Sequence, residues 1–340
     1  MIPHHFGESD PFTIGLEEEL FCLDAETLAP RPFPRDALDG SRLKEELFAS
    51  VVELNTGVHA TVSDAVEELR ELRERAKGAA RDAGLVLAGA GSWPTAVPEE
   101  QPVGESPAYR MFVDYAGPSA RRQYVSGLHV HVGMGSPEAC MAALEAVLPW
   151  LPLVLALSTN SPYVAGAETG LRSARAEILK LLPRSGAPPV FAAYEDWESF
   201  VERLVELGLA DEITRVWWDV RPHPRFGTLE LRIADQPTRL ETTAAVATLL
   251  HAMASRLEAK APADRGLYAQ NRWAALRFGH HAELVHPHGS RLVSVSDLLQ
   301  ELLARLGIEP VDVPDQALEQ LEAGRGGGLD SLSRRLVALT

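Results

Sequence analysis

Glu17, Glu18 and Glu19 fall in one run, residues 15–20 (Gly-Leu-Glu-Glu-Glu-Leu). Read as a strand, the run puts Glu17 and Glu19 on one face and Leu16, Glu18 and Leu20 on the other, because strand side chains alternate. Two carboxylates then stand side by side, about 6 to 7 Å apart. Like charges that close repel unless solvent screens them or a cation sits between them. The chemistry this pair offers is divalent-metal binding. Residues 126–134 repeat the pattern, with His129 and His131 on one face and Leu128, Val130, Val132 and Met134 on the other. Imidazoles two apart on a strand bind metals or anions when they face a cleft, and are otherwise surface histidines. Residues 227–235 put Thr228, Glu230, Arg232 and Ala234 on one face and Leu229, Leu231 and Ile233 on the other. Glu53 shares a strand face with Val51 and Asn55 in residues 49–57. It becomes a ligand candidate if that face also carries Glu17 and Glu19.

Cations accompany these acids. Arg221, Arg225 and Arg232 lie within one hairpin, and Arg172 and Arg175 sit on a loop before an apolar run. Guanidinium groups bind phosphate and carboxylate bidentately. The chain has 48 acidic and 32 basic residues and a net charge of −16, so this concentration points to an anionic ligand, with salt bridges as the plain alternative. The same balance argues against a nucleic-acid partner, which calls for a basic surface. Several carboxylates with at most one imidazole suit Mg2+ or Mn2+ better than zinc. Such ions neutralise nucleotide phosphates during phosphoryl transfer. The residues read as a metal- and nucleotide-dependent phosphoryl-transfer enzyme built on a sheet.

The positioning elements follow from periodicity. Strands are expected at residues 13–23, 49–57, 85–91, 126–134, 215–221 and 227–235. Helices are expected at 61–83, 137–157, 194–207, 238–259, 270–283 and 295–306. In the helix over 194–207, Trp197, Phe200, Leu204 and Leu207 should point inward. Helices on the apolar face of the sheet leave the charged face to line a cleft. Hydrophobic residues make up 46% and charged residues 24%, an ordinary globular balance. One domain over 1–340 is expected, with a core over 12–285 and a helical part over 286–340. Gly89-Ala90-Gly91 lacks the third glycine and the opening helix of a dinucleotide site. Gly324 and Gly326–Gly328 read as a flexible connection with no phosphate-loop lysine, and His280, His281, His286 and His288 as a solvated loop. The apolar stretch 139–157 is broken by Glu145, Pro149 and Pro152, so it reads as a buried helix pair, not a membrane span. Cys22 and Cys140 have no CxxC spacing, and no leader pattern opens the chain. A cytoplasmic location is expected.

Residues 15–20, 127–133 (Gly-Leu-His-Val-His-Val-Gly), 160–162 (Asn-Ser-Pro), 218–232 (Trp-Asp-Val-Arg-Pro-His-Pro-Arg-Phe-Gly-Thr-Leu-Glu-Leu-Arg) and 271–273 (Asn-Arg-Trp) form an ordered set. This set resembles the bacterial carboxylate–amine ligases of the type-2 glutamate–cysteine ligase family, in the glutamine synthetase-like superfamily. The resemblance implies an α+β fold with an antiparallel-dominated, funnel-like sheet, the active site on its concave face and helices outside. It implies Glu17, His129 and Glu230 as ligands of one metal near the nucleotide phosphates, and Glu19 and Glu53 as ligands of another. It implies that His131 and Arg232 contact the transferring phosphate, with Arg221 beside them as a catalytic residue and Arg175 and Arg225 as further nucleotide contacts. The implied reaction consumes ATP, phosphorylates a carboxylate such as the γ-carboxylate of glutamate, and lets cysteine or another amine attack the acyl phosphate. The alternatives are a guanidino phosphotransferase of the same superfamily and a non-catalytic metal- or amino-acid-binding protein. A homodimer is a family-level expectation. The chain departs from the family pattern in a short segment over 30–46, and at Leu171-Arg172-Ser173-Ala174, where a more aromatic segment is usual. Both bear on the substrate pocket.

Overall fold

The structure, a computed structural model, describes residues 2–210 and 215–340. Met1, from which the leader reading starts, lies outside the described residues. The principal sheet contains β1 (Ile14–Asp24), β2 (Leu43–Glu45), β3 (Val51–Asn55), β4 (Leu85–Ala88) and β5 (Gly127–Gly133). Two short pairs follow in the chain, β6 (Tyr163–Val164) with β7 (Ala167–Glu168), and β8 (Ser185–Gly186) with β9 (Trp217–Trp218). β10 (Val220–His223) and β11 (Thr228–Asp235) complete the principal sheet, and β12 (Glu283–Val285) pairs with β13 (Leu292–Ser294). The sheet order is β10-β11-β5-β1-β3-β2, with β4 beside the end of β1, and every pairing in it is antiparallel.

The back of this sheet is the hydrophobic core. Leu16, Leu20, Leu128, Val130, Val132, Leu229 and Leu231 are all buried on it. Each contributes about 1.5–3 kcal/mol of transfer free energy. The helices α1 (Val62–Asp82), α4 (Pro137–Val147), α5 (Leu151–Ser158) and α8 (Leu240–Arg256) cover that face. Between α1 and α4 run α2 (Pro107–Ala116) and α3 (Pro118–Arg121), and after α5 come α6 (Ala174–Ile178) and α7 (Tyr194–Glu206). α9 (Arg265–Phe278), α10 (Val295–Leu306) and α11 (Gln316–Leu339) end the chain. The most apolar stretch is thus a helix pair packed in the core, with α5 buried throughout and set against β11 and α9. α1 starts on Thr61, whose side chain accepts from the Asp64 N–H, a regular N-cap.

Several expectations are corrected. Leu207 is 65% exposed, not inward, because α7 ends at Glu206 and the chain turns there. The helix expected at 270–283 begins five residues earlier, where Asp264 caps α9, and ends at Phe278. The glycine run is no open connection: it lies inside α11, which kinks at Gly328, where φ is 77°. The histidines divide. His286 is buried against Glu301 at 2.7 Å, and the half-buried His280 meets the Leu157 carbonyl at 3.0 Å, whereas His281 and His288 are exposed. A bulge between Leu231 and Ala234 changes the β11–β5 register. It ends the alternation, so Asp235, not Ala234, reaches the polar cluster of Ser161 and Ser173 on the side of Arg175.

Candidate active site

Register brings the chemistry together. Glu17 pairs with His129 and Glu19 with Glu53, while Glu230 lies opposite both His131 and Arg221. Because adjacent strands place paired residues on one side, all seven side chains share the front face. Glu18 faces backward and is fully buried. Arg73 of α1 holds it bidentately at 2.7 and 2.8 Å, with Thr243 and Gln236 donating as well.

Among the described residues, two groups of ligand-type atoms lie within 4.8 Å of one another: Glu17 with His131 and Glu230, and Glu19 with Glu46 and Glu53. In the first, His131 Nδ1 meets Thr228 Oγ1 at 2.9 Å, which fixes the ring. Its Nε2 is buried, lies 3.4 Å from Glu17 and makes no hydrogen bond. An imidazole oriented by a hydroxyl, with an orphaned nitrogen aimed between two carboxylates, fits a divalent cation. His129 is placed differently, its Nδ1 3.1 Å from Glu17 and 3.4 Å from Arg232. Burial and the Arg232 charge push its pKa down to about 4, so the ring is neutral. His131 thus groups with Glu17 and Glu230, while His129 lies against both Glu17 and Arg232.

Glu230 is enclosed by cations. Arg221 Nε donates to it at 2.5 Å, and the Arg232 guanidinium donates to its other oxygen. Burial opposes its charge, but Arg221 and Arg232 overrule that and hold it well below the usual carboxylate range. Glu17 is likewise held low, against its burial, by the His131 charge and by the hydrogen bond with His129.

The second group behaves oppositely. Burial raises the Glu46 pKa well above the ordinary value, and Glu53 and Glu19 push it the same way. Burial also raises Glu19, although Arg175 and the Gly127 N–H, 2.7 Å away, favour its charge. Gly127 is glycine for a steric reason, since a Cβ there would strike the Arg175 guanidinium. Three half-buried acids converging with Lys44 at their edge form a set of hard oxygen donors that fits Mg2+ or Mn2+.

The remaining candidates separate. Arg175 is buried and donates to the backbone carbonyls of Arg232 and Ile233. Arg225 lies exposed on the β10–β11 turn. Arg172 is outside both groups, and its carbonyl accepts from the Ser161 N–H. Two cavities open on the front face. One of about 550 Å3 is lined by Glu17, Lys44, Asn55, His131, Phe226 and Thr228. The other, of about 170 Å3, is bounded by Glu19, Glu46, His129, Arg175 and Arg232.

Sequence reasoning missed Glu46. It follows the three-residue β2 in a loop, where no alternation marks a face. The only available signal was the acidic pair Glu45-Glu46 one strand away from Glu53. Asn271 and Arg272, in one of the recognised motifs, are structural. Asn271 bonds the Val285 backbone in both directions, and Arg272 holds Asp219 with Tyr268.

An antiparallel sheet with helices packed on one face is the glutamine synthetase-like fold. Two solved structures share the fold. A glutamate–cysteine ligase of Francisella tularensis, determined in complex with AMP, matches with a TM-score of 0.68 at 15% identity, over 97% of this chain and 89% of that one. A bifunctional glutathione synthetase of Pasteurella multocida matches with a TM-score of 0.61 at 17% identity, over 96% of this chain and 50% of that one. The family model of glutamate–cysteine ligase family 2 matches residues 13–317. A Rubrobacter xylanophilus protein provisionally named glutamate–cysteine ligase 2-3 is 41% identical over 308 residues, 88% of this chain and 85% of its own. A Sorangium cellulosum protein provisionally named glutamate–cysteine ligase 2 is 38% identical over 307 residues, 86% and 82% of the two chains. The chain belongs to glutamate–cysteine ligase family 2, and with it to the ATP-dependent carboxylate–amine ligases.

Proposed function

We propose that the protein joins the γ-carboxylate of glutamate to an amine at the expense of ATP, in the cytoplasm, with Mg2+ or Mn2+ at both acidic groups. The observation that carries this reading is the pair of acidic groups on one sheet face, each at the wall of its own cavity. The larger cavity is the proposed nucleotide site, since its volume falls in the usual range for such ligands, about 300 to 1,000 Å3. The smaller one is the proposed acceptor site. Bound divalent ions would neutralise phosphate charge and polarise the reacting oxygens.

The chain's own residues supply the rest. Glu17, His131 and Glu230 would hold one ion, and Glu19, Glu46 and Glu53 the other. Arg232 lines the smaller cavity and donates to Glu230 of the first acidic group, where it can follow charge from the γ-phosphate to the acyl phosphate. Arg221 acts through Glu230, which it orients and keeps ionised. In the first step a carboxylate oxygen displaces ADP from the γ-phosphorus. In the second the amine nitrogen attacks the acyl carbon, the C–N bond forms, phosphate departs with the electron pair, and one proton leaves the nitrogen. Both cysteines are free and buried, which suits a reducing compartment.

The test is mass spectrometry of a reaction with ATP, Mg2+, glutamate and mixed amines, with ADP and phosphate followed together. A glutamyl amide with stoichiometric ADP and phosphate is the expected result. ADP without free phosphate would mark phosphoryl transfer to nitrogen, and no turnover with any metal would leave a binding protein.

A further inference from the structure

Lys44 stands where the two acidic groups meet. Register sets it opposite Glu53, and sets Asn55 opposite Glu17. β2 is an edge strand of the principal sheet, and the Lys44 side chain keeps 35% of its surface exposed. Its ammonium donates to Asn55 Oδ1 at 2.8 Å and to Glu53 Oε1 at 3.3 Å. The Asn55 amide donates in turn to the same Glu53 oxygen at 2.7 Å. Among the described residues these are the only acceptors the ammonium has, which leaves one of its three donors open. Lys44 and Asn55 both line the cavity of about 550 Å3.

Glu53 also belongs to the second group of ligand atoms, so one carboxylate serves two cations. A divalent ion held there sets like charge close to the ammonium, and a partly exposed ion pair is too weak to hold against that. Asn55 is neutral and does not replace the lost anion. Lysine is suited to moving off, being a point charge on a flexible stem, where a guanidinium fork would be fixed to its carboxylate. The anion that the ligase reading places in the cavity lined by Lys44 is the nucleotide.

We propose that Lys44 is a phosphate-binding residue of the nucleotide site, which turns from Glu53 to the terminal phosphates of ATP when a divalent ion takes Glu53. This role rests on the ligase reading above and deepens it. Lys44 then couples the two sites. Released from Glu53, it adds a cation at the nucleotide, and linkage makes the effect reciprocal, so bound nucleotide favours the ion at the second group to the same extent. Lys44 binds substrate here and takes no proton.

The experiment is calorimetric titration of the full chain and of Lys44→Gln, first with Mg2+ alone and then with a non-hydrolysable ATP analogue at saturating Mg2+. Glutamine keeps donors for Asn55 and Glu53 but carries no charge. The two affinities should move in opposite directions. Mg2+ should bind the variant about threefold more tightly, because no ammonium competes for Glu53. The analogue should bind about tenfold more weakly, the loss of one charged contact to phosphate. In turnover the KM for ATP should rise while that for glutamate stays unchanged. A lysine that only ties β2 to β3 would, on removal, weaken both ligands or neither. Any combination other than tighter Mg2+ with weaker analogue would overturn the proposal. An ion pair at an open sheet edge adds little to stability, so the unfolding midpoint should stay close to that of the unaltered chain. Lys44→Met, uncharged and of similar length, gives the same two readings should the glutamine variant unfold. The expected pair of shifts without any ATP-dependent amide would sink the ligase reading and leave Lys44 as a nucleotide contact. Amide formation with the analogue affinity unmoved would do the reverse.

Discussion

Glu17 and Glu230 have two histidines and two arginines within reach, whereas Glu19, Glu46 and Glu53 have mostly one another, with Lys44 at the rim. The two groups stand on one sheet face, yet Glu17 and Glu230 are held low while Glu19 and Glu46 are pushed up. The difference lies in where the compensating charge comes from. In the first group it is built into the chain, so the carboxylates stay ionised and the fold does not depend on a cation there. In the second it is largely left to a ligand, so repulsion persists until a cation arrives. Binding free energy at the second group is therefore also folding free energy.

The largest effect expected is from Glu230→Ala. It strands the buried Arg221 and the mostly buried Arg232 without their shared partner, so stability should fall by about 3–5 kcal/mol in denaturant titrations, with ATP turnover lost. At the level of sequence alone, alanine at Glu230 is expected to abolish turnover with little loss of fold. The ion pairs correct the second half of that expectation. Glu17→Ala should also abolish turnover, but with a stability change of about 1 kcal/mol, since His129 is already neutral and His131 can become so. A fall as large as that of Glu230→Ala would break the contrast between a paired arginine and a paired histidine. Glu46→Gln should raise the thermal midpoint of the metal-free protein while weakening Mg2+ binding by calorimetry about tenfold or more. A lowered midpoint would show that the three acids do not repel.

The pH dependence sharpens the same contrast. Glu46 has a raised pKa in the fold, so its contribution is fully present below the ordinary value of 4.5 and is lost as pH rises through the folded value. The metal-free protein should lose stability over that rise, and saturating Mg2+ should flatten the curve. Titrations in buffers of different ionisation enthalpy should show proton release on Mg2+ binding. Metal binding without proton release at any pH would mean that Glu46 is already ionised.

Much of the site was legible because its residues lie on strands. Period two alone separated Glu17 and Glu19 from Glu18, and paired His129 with His131 away from the core. Long-range register, which no local pattern carries, then brought Glu53 opposite Glu19 and His131 opposite Glu230. Glu46 comes from an irregular segment, where side-chain direction depends on turns of the backbone. Arg73 was hidden for another reason. It sits on the inward side of α1 between apolar residues, and only the buried Glu18 across the interface explains a charge there. A sheet with helices on its apolar face followed from clear stripes, its antiparallel order was implied by the family resemblance alone, and helix ends moved where a cap such as Asp264 decided them.

The bulge in β11 separates two kinds of tolerance. Within residues 231–234, exchanging one side chain leaves its neighbours facing as they do. A single-residue deletion there is different, because it restores simple alternation and reverses the phase of everything on one side of it. Either Arg232 would leave the acidic face, or Asp235 would leave Ser161 and Ser173 and with them the seat of Arg175. At this point of the chain the reading frame of the strand, more than the chemistry of any one letter in it, keeps cation and anion on the same side.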